Sequence, residues 1–134
     1  MTDLQALQGR MSGLFPDLLG VRLVSVDETC VVAELDVRDD LCTLPGLMHG
    51  GAIMAFADTL GAVATVANLS PGQGTTTIES KTNFLSGGRA GTTVTGTCEA
   101  LHRGRRTMVW QTKITSGERT IAIVTQTQMV LEPS

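Results

Sequence analysis

The sequence predicts an α+β fold in which an antiparallel sheet curls around one long central helix. Only one Asp, Glu, Lys or Arg lies between Leu41 and Ile78, and it is Asp58. The helical segment 50–68 within this stretch is rich in Ala and Gly, so a sheet can enclose it at close range. Alternating, strand-like segments then fill the rest of the chain. An ordinary sandwich, with the helix on one face of the sheet, is the open alternative.

Length and composition limit the class of protein. With 134 residues, the chain is expected to form one domain over 1–134 with its own core. The net charge is only -3 and there is no Tyr, so nucleic acid is not an expected partner. Three widely spaced Cys and two His argue against a disulfide framework or a metal site. The N-terminus lacks a basic segment followed by an apolar one, which predicts a cytoplasmic protein without a signal peptide.

The first half of the chain predicts a helix, two strands and an irregular segment. Apolar residues recur at helical spacing through the first fourteen residues, and the predicted helix ends before Pro16. Apolar and polar residues alternate over 21–26 and again over 31–37, which predicts two strands. The stretch 38–48 is expected to be irregular.

The second half predicts the long helix and four further strands. The helix over 50–68 ends where Pro and Gly appear shortly after Asn68. Polar, Gly-containing turns separate the alternating segments that follow. The element order is therefore α-β-β-α-β-β-β-β. The four last strands are predicted at 75–85, 92–102, 107–115 and 119–131.

Asp58 is the most unusual residue, because it is a lone carboxylate in a long apolar run. The run 47–69 is long enough to span a bilayer, but an acid near its centre costs about 2.5–3.5 kcal/mol on insertion scales. We therefore expect a helix enclosed by protein, and no membrane partner. Burying an unpaired carboxylate inside a protein is also costly. A cost of this kind is typical of an active-site acid or base.

The residues His49-Gly50-Gly51 stand where the long helix begins. The first turn of a helix has free N–H groups and a partial positive charge. Glycine lets a substrate oxygen come close to the backbone. The Gly50 N–H is therefore a candidate to polarise a carbonyl and hold an oxyanion. Taken alone, the motif favours the simpler explanation, that the glycines merely begin the helix.

The spacing of His49 and Asp58 predicts an arrangement of two subunits. They are nine positions apart in the sequence, which places them on opposite sides of a helix and about 13 Å apart along its axis. One subunit's His49 therefore cannot easily meet its own Asp58. If the two cooperate, two antiparallel copies of the helix must lie side by side across a two-fold axis. A dimer of this kind has two equivalent sites.

The motif formed by His49-Gly50-Gly51 and Asp58-Thr59 resembles the signature of the hotdog-fold acyl-CoA thioesterases, specifically the phenylacetate-degradation type. The resemblance covers 20–131 and includes the segments 83–87 and 101–107. It implies a sheet wrapped around a helix, with subunits paired as homodimers and often as dimers of dimers. It also implies hydrolysis of an acyl-CoA to free acid and CoA.

The resemblance assigns roles to four residues of the predicted site. Asp58 would act as general base on water or as nucleophile, and the Gly50 amide would bind the thioester carbonyl. His49 would help to position that carbonyl or the water. Thr77 matches a position where a hydroxyl often holds the water, although it can equally be an ordinary strand residue.

Thr43 departs from the family pattern. Six residues before the His, many relatives carry Asn or Gln, and a Thr hydroxyl reaches less far and offers fewer donors. This departure motivates an alternative, a non-catalytic domain that binds or senses acyl-CoA. A hydratase or dehydratase on the same scaffold is a third and weaker hypothesis.

The remaining expectations concern the two ends of the substrate. CoA is part of the substrate, so no separate cofactor is expected. Its phosphates call for cations, and arginine suits phosphate through paired hydrogen bonds. The acyl group is left open between aromatic and medium-chain types, and Leu14, Phe15 and Met54 are expected to pack in the core rather than line an acyl pocket. The candidate CoA-binding residues are Arg103, Arg105, Arg106, Arg89 and Ser86.

Overall fold

The long apolar helix packs against a six-stranded antiparallel sheet that curves around it. The computed structural model describes residues 3–134. The sheet order is β1-β2-β6-β7-β8-β5, so β1 and β5 are the edge strands. The long helix α3 contacts β2, β5, β6, β7 and β8. The elements are α1 (Leu4–Arg10), α2 (Phe15–Leu19), β1 (Arg22–Val26), β2 (Cys30–Asp36), a 3₁₀ turn (Asp39–Leu41), β3 (Cys42–Thr43), β4 (Leu47–Met48), α3 (Gly50–Val66), β5 (Gly74–Phe84), β6 (Thr93–Arg103), β7 (Thr107–Ser116) and β8 (Arg119–Leu131).

The predicted α+β architecture with an enclosed helix is confirmed, and the sandwich alternative is wrong. Two short features were not predicted. Pro16 was expected only to end the first helix, but it lies in the first turn of α2, a position that favours Pro. Gly20 ends α2 in a left-handed conformation with φ of 88°. The segment expected to be irregular contains the 3₁₀ turn and the small β3–β4 hairpin.

Small residues allow α3 to lie close to the sheet. Phe56, Leu60 and Ala64 are fully buried on the helix. Gly96 on β6 faces Phe56 and Leu60, and a Cβ there would lie 2.7 Å from the Leu60 side chain. A larger residue at position 96 would therefore push the helix away from the sheet. Within residues 3–134, no helix is both long enough and apolar enough to cross a membrane.

Strand β5 contains a bulge beside the middle of α3. Thr77 pairs with Gln128 of β8, but Glu79 pairs with Thr127, so Ile78 has no partner of its own. The bulge projects Ile78 outward, and its side chain is 56% exposed. Bulges are common beside active sites, where they redirect a side chain.

Candidate active site

Asp58 is half-buried on α3 and faces the edge strand β5. Its Oδ1 accepts a hydrogen bond from the Thr77 hydroxyl, with an oxygen–oxygen distance of 2.6 Å. This short distance is typical of a charge-assisted hydrogen bond. Within residues 3–134, Asp58 Oδ2 has no hydrogen-bond partner, and it is not enclosed by the protein. One carboxylate oxygen is therefore held, while the other can accept a hydrogen bond from a water.

The structure brings Asp58 and Thr77 together, although nineteen residues separate them in the chain. Both were predicted to belong to one site. The Thr77 hydroxyl donates its proton to the carboxylate, so here it contacts Asp58 directly. This contact arises because β5 returns along α3 and because Thr77 precedes the bulge.

His49 caps the N-terminus of α3. Its Nδ1 accepts a hydrogen bond of 2.8 Å from the Gly51 N–H. A neutral imidazole that accepts at Nδ1 carries its proton on Nε2, so that nitrogen is left as a donor. A Cβ on Gly51 would lie 3.0 Å from His49 Nδ1, so the second glycine keeps this cap possible.

Gly50 leaves a backbone donor at the helix start. Within residues 3–134, the Gly50 N–H bonds to no side chain and to no loop carbonyl. It lies in the first turn of α3, where N–H groups have no partner within the helix. The end of β5 lies beside it, because the Phe84 ring is 3.3 Å from where a Gly50 Cβ would be. The amide is suited to bind a carbonyl oxygen.

His49 and Asp58 of one chain lie apart, as their spacing predicted. The first bonds to Gly51 and the second to Thr77, and no hydrogen bond joins them. The nine-residue separation along α3 corresponds to about 13 Å. One subunit therefore presents the helix-start donor and the carboxylate as two separate groups.

A cleft of about 380 Å³ opens beside the helix start. His49 and Gly51 line one side of it, and apolar residues of α2 line the other. The expectation that Leu14, Phe15 and Met54 pack in the core is wrong, because they are 60%, 58% and 37% exposed. Leu14 and Phe15 are exposed because α2 buries only Leu19, and Met54 lies on the part of α3 that is not buried. Phe15 lines the cleft instead.

Thr43 and Ser86 lie near the helix start but in different settings. Thr43 is exposed on β3, where it pairs with Leu47 of β4. Its hydroxyl has no hydrogen-bond partner among residues 3–134. The Ser86 hydroxyl donates to the carbonyl of Thr120 at 2.9 Å, so it is engaged within the protein.

The five candidate CoA-binding residues divide between the two ends of α3. Arg103 bonds to the side chain of Asn68 at 3.1 Å, just beyond the C-terminal end of α3. Arg105 and Arg106 are exposed in the adjoining turn between β6 and β7. Arg89 lies at the opposite end, where it forms a β-bridge with Leu47. Within one chain, these cations therefore form no single cluster.

Two residues of the site were missed from the sequence. Gln126 and Gln128 are fully buried on β8 and connect Thr77 to the backbone of α3. The alternating pattern of β8 could have indicated both glutamines, because it places them on the inward face of the strand with Val124 and Val130. A polar residue at a core position requires a hydrogen-bond partner, and that requirement marks it for attention.

Known proteins share the sequence and the fold of this chain. Residues 45–123 match the sequence model of the thioesterase superfamily. The 1,4-dihydroxy-2-naphthoyl-CoA hydrolase of Listeria monocytogenes is 31% identical over 99 residues, which cover 74% of this chain and 80% of the hydrolase. The acyl-coenzyme A thioesterase PaaI of Escherichia coli is 31% identical over 106 residues, which cover 78% of this chain and 74% of PaaI. The crystal structure of a mutant thioesterase PA1618 from Pseudomonas aeruginosa matches with a TM-score of 0.92 and 28% identity, covering 98% of this chain and 95% of that chain.

The antiparallel sheet wrapped around a long helix is the hotdog fold, and the matching family model and relatives show that the protein is a thioester hydrolase. The chain belongs to the thioesterase superfamily. The predicted hotdog fold and the resemblance to the phenylacetate-degradation type are both confirmed.

Proposed function

We propose that this thioesterase hydrolyses an acyl-CoA to free acid and CoA, with Asp58 as the reacting carboxylate. The observation that carries the proposal is the hydrogen bond from Thr77 to Asp58 Oδ1, which leaves Oδ2 available to a water. The cleft beside His49 and Gly51 is lined mainly by apolar residues, together with Arg38 and Asp40, and this lining favours an aromatic or medium-chain acyl group. The relative that acts on an aromatic acyl-CoA, the naphthoyl-CoA hydrolase, supports the aromatic option.

The proposed reaction uses Asp58 and the Gly50 amide. As general base, Asp58 Oδ2 takes a proton from a water, whose oxygen attacks the thioester carbonyl carbon. The Gly50 N–H stabilises the oxyanion of the tetrahedral intermediate. The C–S bond then breaks, and the CoA thiolate takes the proton from Asp58. If Asp58 acts instead as nucleophile, its oxygen attacks the carbonyl carbon, the C–S bond breaks and CoA leaves as thiolate, so that a mixed anhydride remains. Water hydrolyses this anhydride, which restores the Asp58 carboxylate and releases the acid, and a proton from that water neutralises the thiolate.

We place each site between two subunits of a homodimer. Edge strand β5 places Thr77 beside Asp58 and Phe84 beside Gly50. The midpoint between Thr77 and Phe84 falls between residues 80 and 81. A two-fold axis there pairs β5 with its copy and sets Thr77 opposite Phe84 of the partner subunit. Each site then combines Asp58 of one subunit with Gly50 of the other.

The length and composition of β5 support this pairing. It runs for 11 residues along the edge of the sheet. Ile78, Phe84 and the adjoining Leu85 are each more than half exposed. A long edge strand with exposed apolar residues is a template for pairing with another chain.

Mixing two inactive variants tests the shared site. His49→Ala removes the side chain that caps the helix start beside the Gly50 N–H, and Asp58→Asn removes the reacting carboxylate, so each homodimer should be nearly inactive. After subunit exchange, half of the dimers are mixed and each mixed dimer has one intact site, so about a quarter of wild-type activity should return. Two His49→Ala preparations mixed together are the control. No recovery in verified mixed dimers contradicts the shared site.

A panel of acyl-CoA substrates tests the reaction itself. Wild-type protein is incubated with aromatic and straight-chain acyl-CoA esters, and released CoA thiol is measured over time. The proposal expects turnover of at least one class, with kcat within the usual range of about 1 to 1000 per second. The alternative, a domain that only binds or senses acyl-CoA, predicts tight binding with no release of thiol from any ester. Thr43 is the residue that favours this alternative, because its hydroxyl replaces a longer amide.

A further inference from the structure

Two fully buried glutamines on β8 form a chain of hydrogen bonds between the backbone of α3 and Thr77. Gln126 Nε2 donates to the carbonyl oxygen of Ala57 at 2.9 Å. Gln128 Nε2 donates to Gln126 Oε1 and to Thr77 Oγ1, each at 2.6 Å. Both side chains have 0% exposure, so leaving these amide groups unpaired would be costly.

A backbone carbonyl fixes the direction in which these hydrogen bonds donate. The oxygen of Ala57 can only accept, so the nitrogen of Gln126 must face it and Gln126 Oε1 must face Gln128. That oxygen in turn requires the nitrogen of Gln128, whose second proton is directed at Thr77. The Thr75 hydroxyl lies 2.9 Å from both Gln128 Oε1 and the Met129 carbonyl oxygen, so its single proton is shared between these two acceptors. A reversed Gln128 amide would place two oxygens in contact.

The fixed direction determines where the single hydroxyl proton of Thr77 goes. Because Thr77 Oγ1 accepts from Gln128, its proton is left for Asp58 Oδ1 at 2.6 Å. The carboxylate is thereby held in one orientation by Oδ1, and Oδ2 is left for a water. If the direction were reversed, the Thr77 oxygen would face the carboxylate without a proton between them.

The series of hydrogen bonds begins at Ala57 and ends at Asp58, which are adjacent residues of α3. Gly61 makes room for it, because a Cβ at that position would collide with the side-chain amide of Gln126. Apolar residues fill other inward positions of β8, at Val124 and Val130. Filling the core alone therefore does not require the two glutamines.

We infer that Gln128 is a positioning residue, which acts through the Thr77 hydroxyl to orient the Asp58 carboxylate for thioester hydrolysis. This inference rests on the proposed function, because it explains what holds the proposed reacting group. It assigns to Gln128 no contact with the substrate.

A double-mutant cycle tests the inference. Gln128→Met keeps the length and volume of the side chain but removes both donors. Thr77→Val keeps the shape of Thr77 but removes the hydroxyl. Each single variant should lower kcat about tenfold and leave KM within about twofold, because only the orientation of the carboxylate is lost. The double variant should be no slower than Thr77→Val alone. Gln111→Met, an exposed Gln on β7, is the matched control and should match wild type.

A purely structural role for Gln128 gives a different pattern. In that case Gln128→Met lowers kcat by the same factor in the wild-type and Thr77→Val backgrounds, and the inference is overturned. An unchanged kcat for folded Gln128→Met also overturns it. Thr77→Ser adds a rescue test, because it restores the hydroxyl and should recover kcat to within about twofold of wild type.

Thr75→Val keeps the inference testable if Gln128→Met does not fold. This isosteric change removes the hydroxyl that contacts Gln128 Oε1 and the Met129 carbonyl oxygen. It should lower kcat about threefold in the wild-type background and leave kcat unchanged in the Thr77→Val background. Equal losses in both backgrounds contradict the inference. Failure of the proposed function is distinct, because wild-type protein would then release no CoA, or Asp58→Asn would be fully active.

Discussion

The backbone of α3 at Gly61 lies directly against the side-chain amide of Gln126. Gly61 is the fourth residue after Ala57, whose carbonyl oxygen accepts from that amide. A glycine in the middle of a helix costs about 1 kcal/mol relative to Ala. Here the missing side chain makes room for a buried polar group that reaches the helix backbone.

Gly61→Ala should therefore destabilise the protein, although Ala favours helix. The added methyl group collides with the Gln126 amide, and overpacking of this kind costs about 1–3 kcal/mol. Urea unfolding followed by circular dichroism measures the change. Gly9→Ala is the control, because a Cβ there meets nothing within 4 Å on the exposed helix α1. The control should gain up to about 1 kcal/mol, and equal stability gains in both variants would contradict this packing.

The arginines in the turn between β6 and β7 should strengthen the binding only of substrates that carry phosphate. Replacing both Arg105 and Arg106 with Glu should raise KM for an acyl-CoA by about tenfold or more, with little change in kcat. The same acyl group on N-acetylcysteamine lacks phosphates, so its KM should not change. Arg10→Glu, an exposed arginine of α1, controls for the reversal of charge. A KM that rises equally for both thioesters would contradict a phosphate-binding role.

The thiol of Cys98 should stay unreactive in the native protein. Burial, as the largest cause, raises the pKa of Cys98 to about 12. At pH 8 only about one such thiol in ten thousand is ionised, and the thiolate is the reactive form. Labelling with an aromatic disulfide reagent, followed by peptide mass spectrometry, should find Cys98 unmodified until the protein is unfolded. Rapid labelling of Cys98 in the native protein would contradict this prediction, because it would show that the structure around Cys98 opens easily.

Much of the fold could be predicted because hydrophobic pattern and turn residues agree. The helix predicted at 50–68 was found at Gly50–Val66, and the ends of the six predicted strands differ from the observed ends by at most one residue. The bulge at Ile78 could not be predicted, because β5 is polar on both faces. A shift in its alternation therefore leaves no hydrophobic signal.

The site was only partly visible in the sequence. Asp58 and His49 were identified because they interrupt an apolar run at a helix, where polar residues are conspicuous. Gln126 and Gln128 were missed because polar residues in an alternating strand are usually taken to face solvent. Arg103 and Arg89 were predicted to belong to one CoA-binding set, but they lie beyond opposite ends of α3. The positions of such residues depend on contacts between segments that are far apart in the sequence.

Hydrolysis of the best acyl-CoA by Asp58→Asn is the most direct test of the central claim. The amide keeps the size of the carboxylate but cannot take a proton from water. We expect an intact fold by circular dichroism and a loss of at least about a hundredfold in kcat, the scale for removing a general base. A folded Asp58→Asn protein that releases CoA at the wild-type rate would contradict the account.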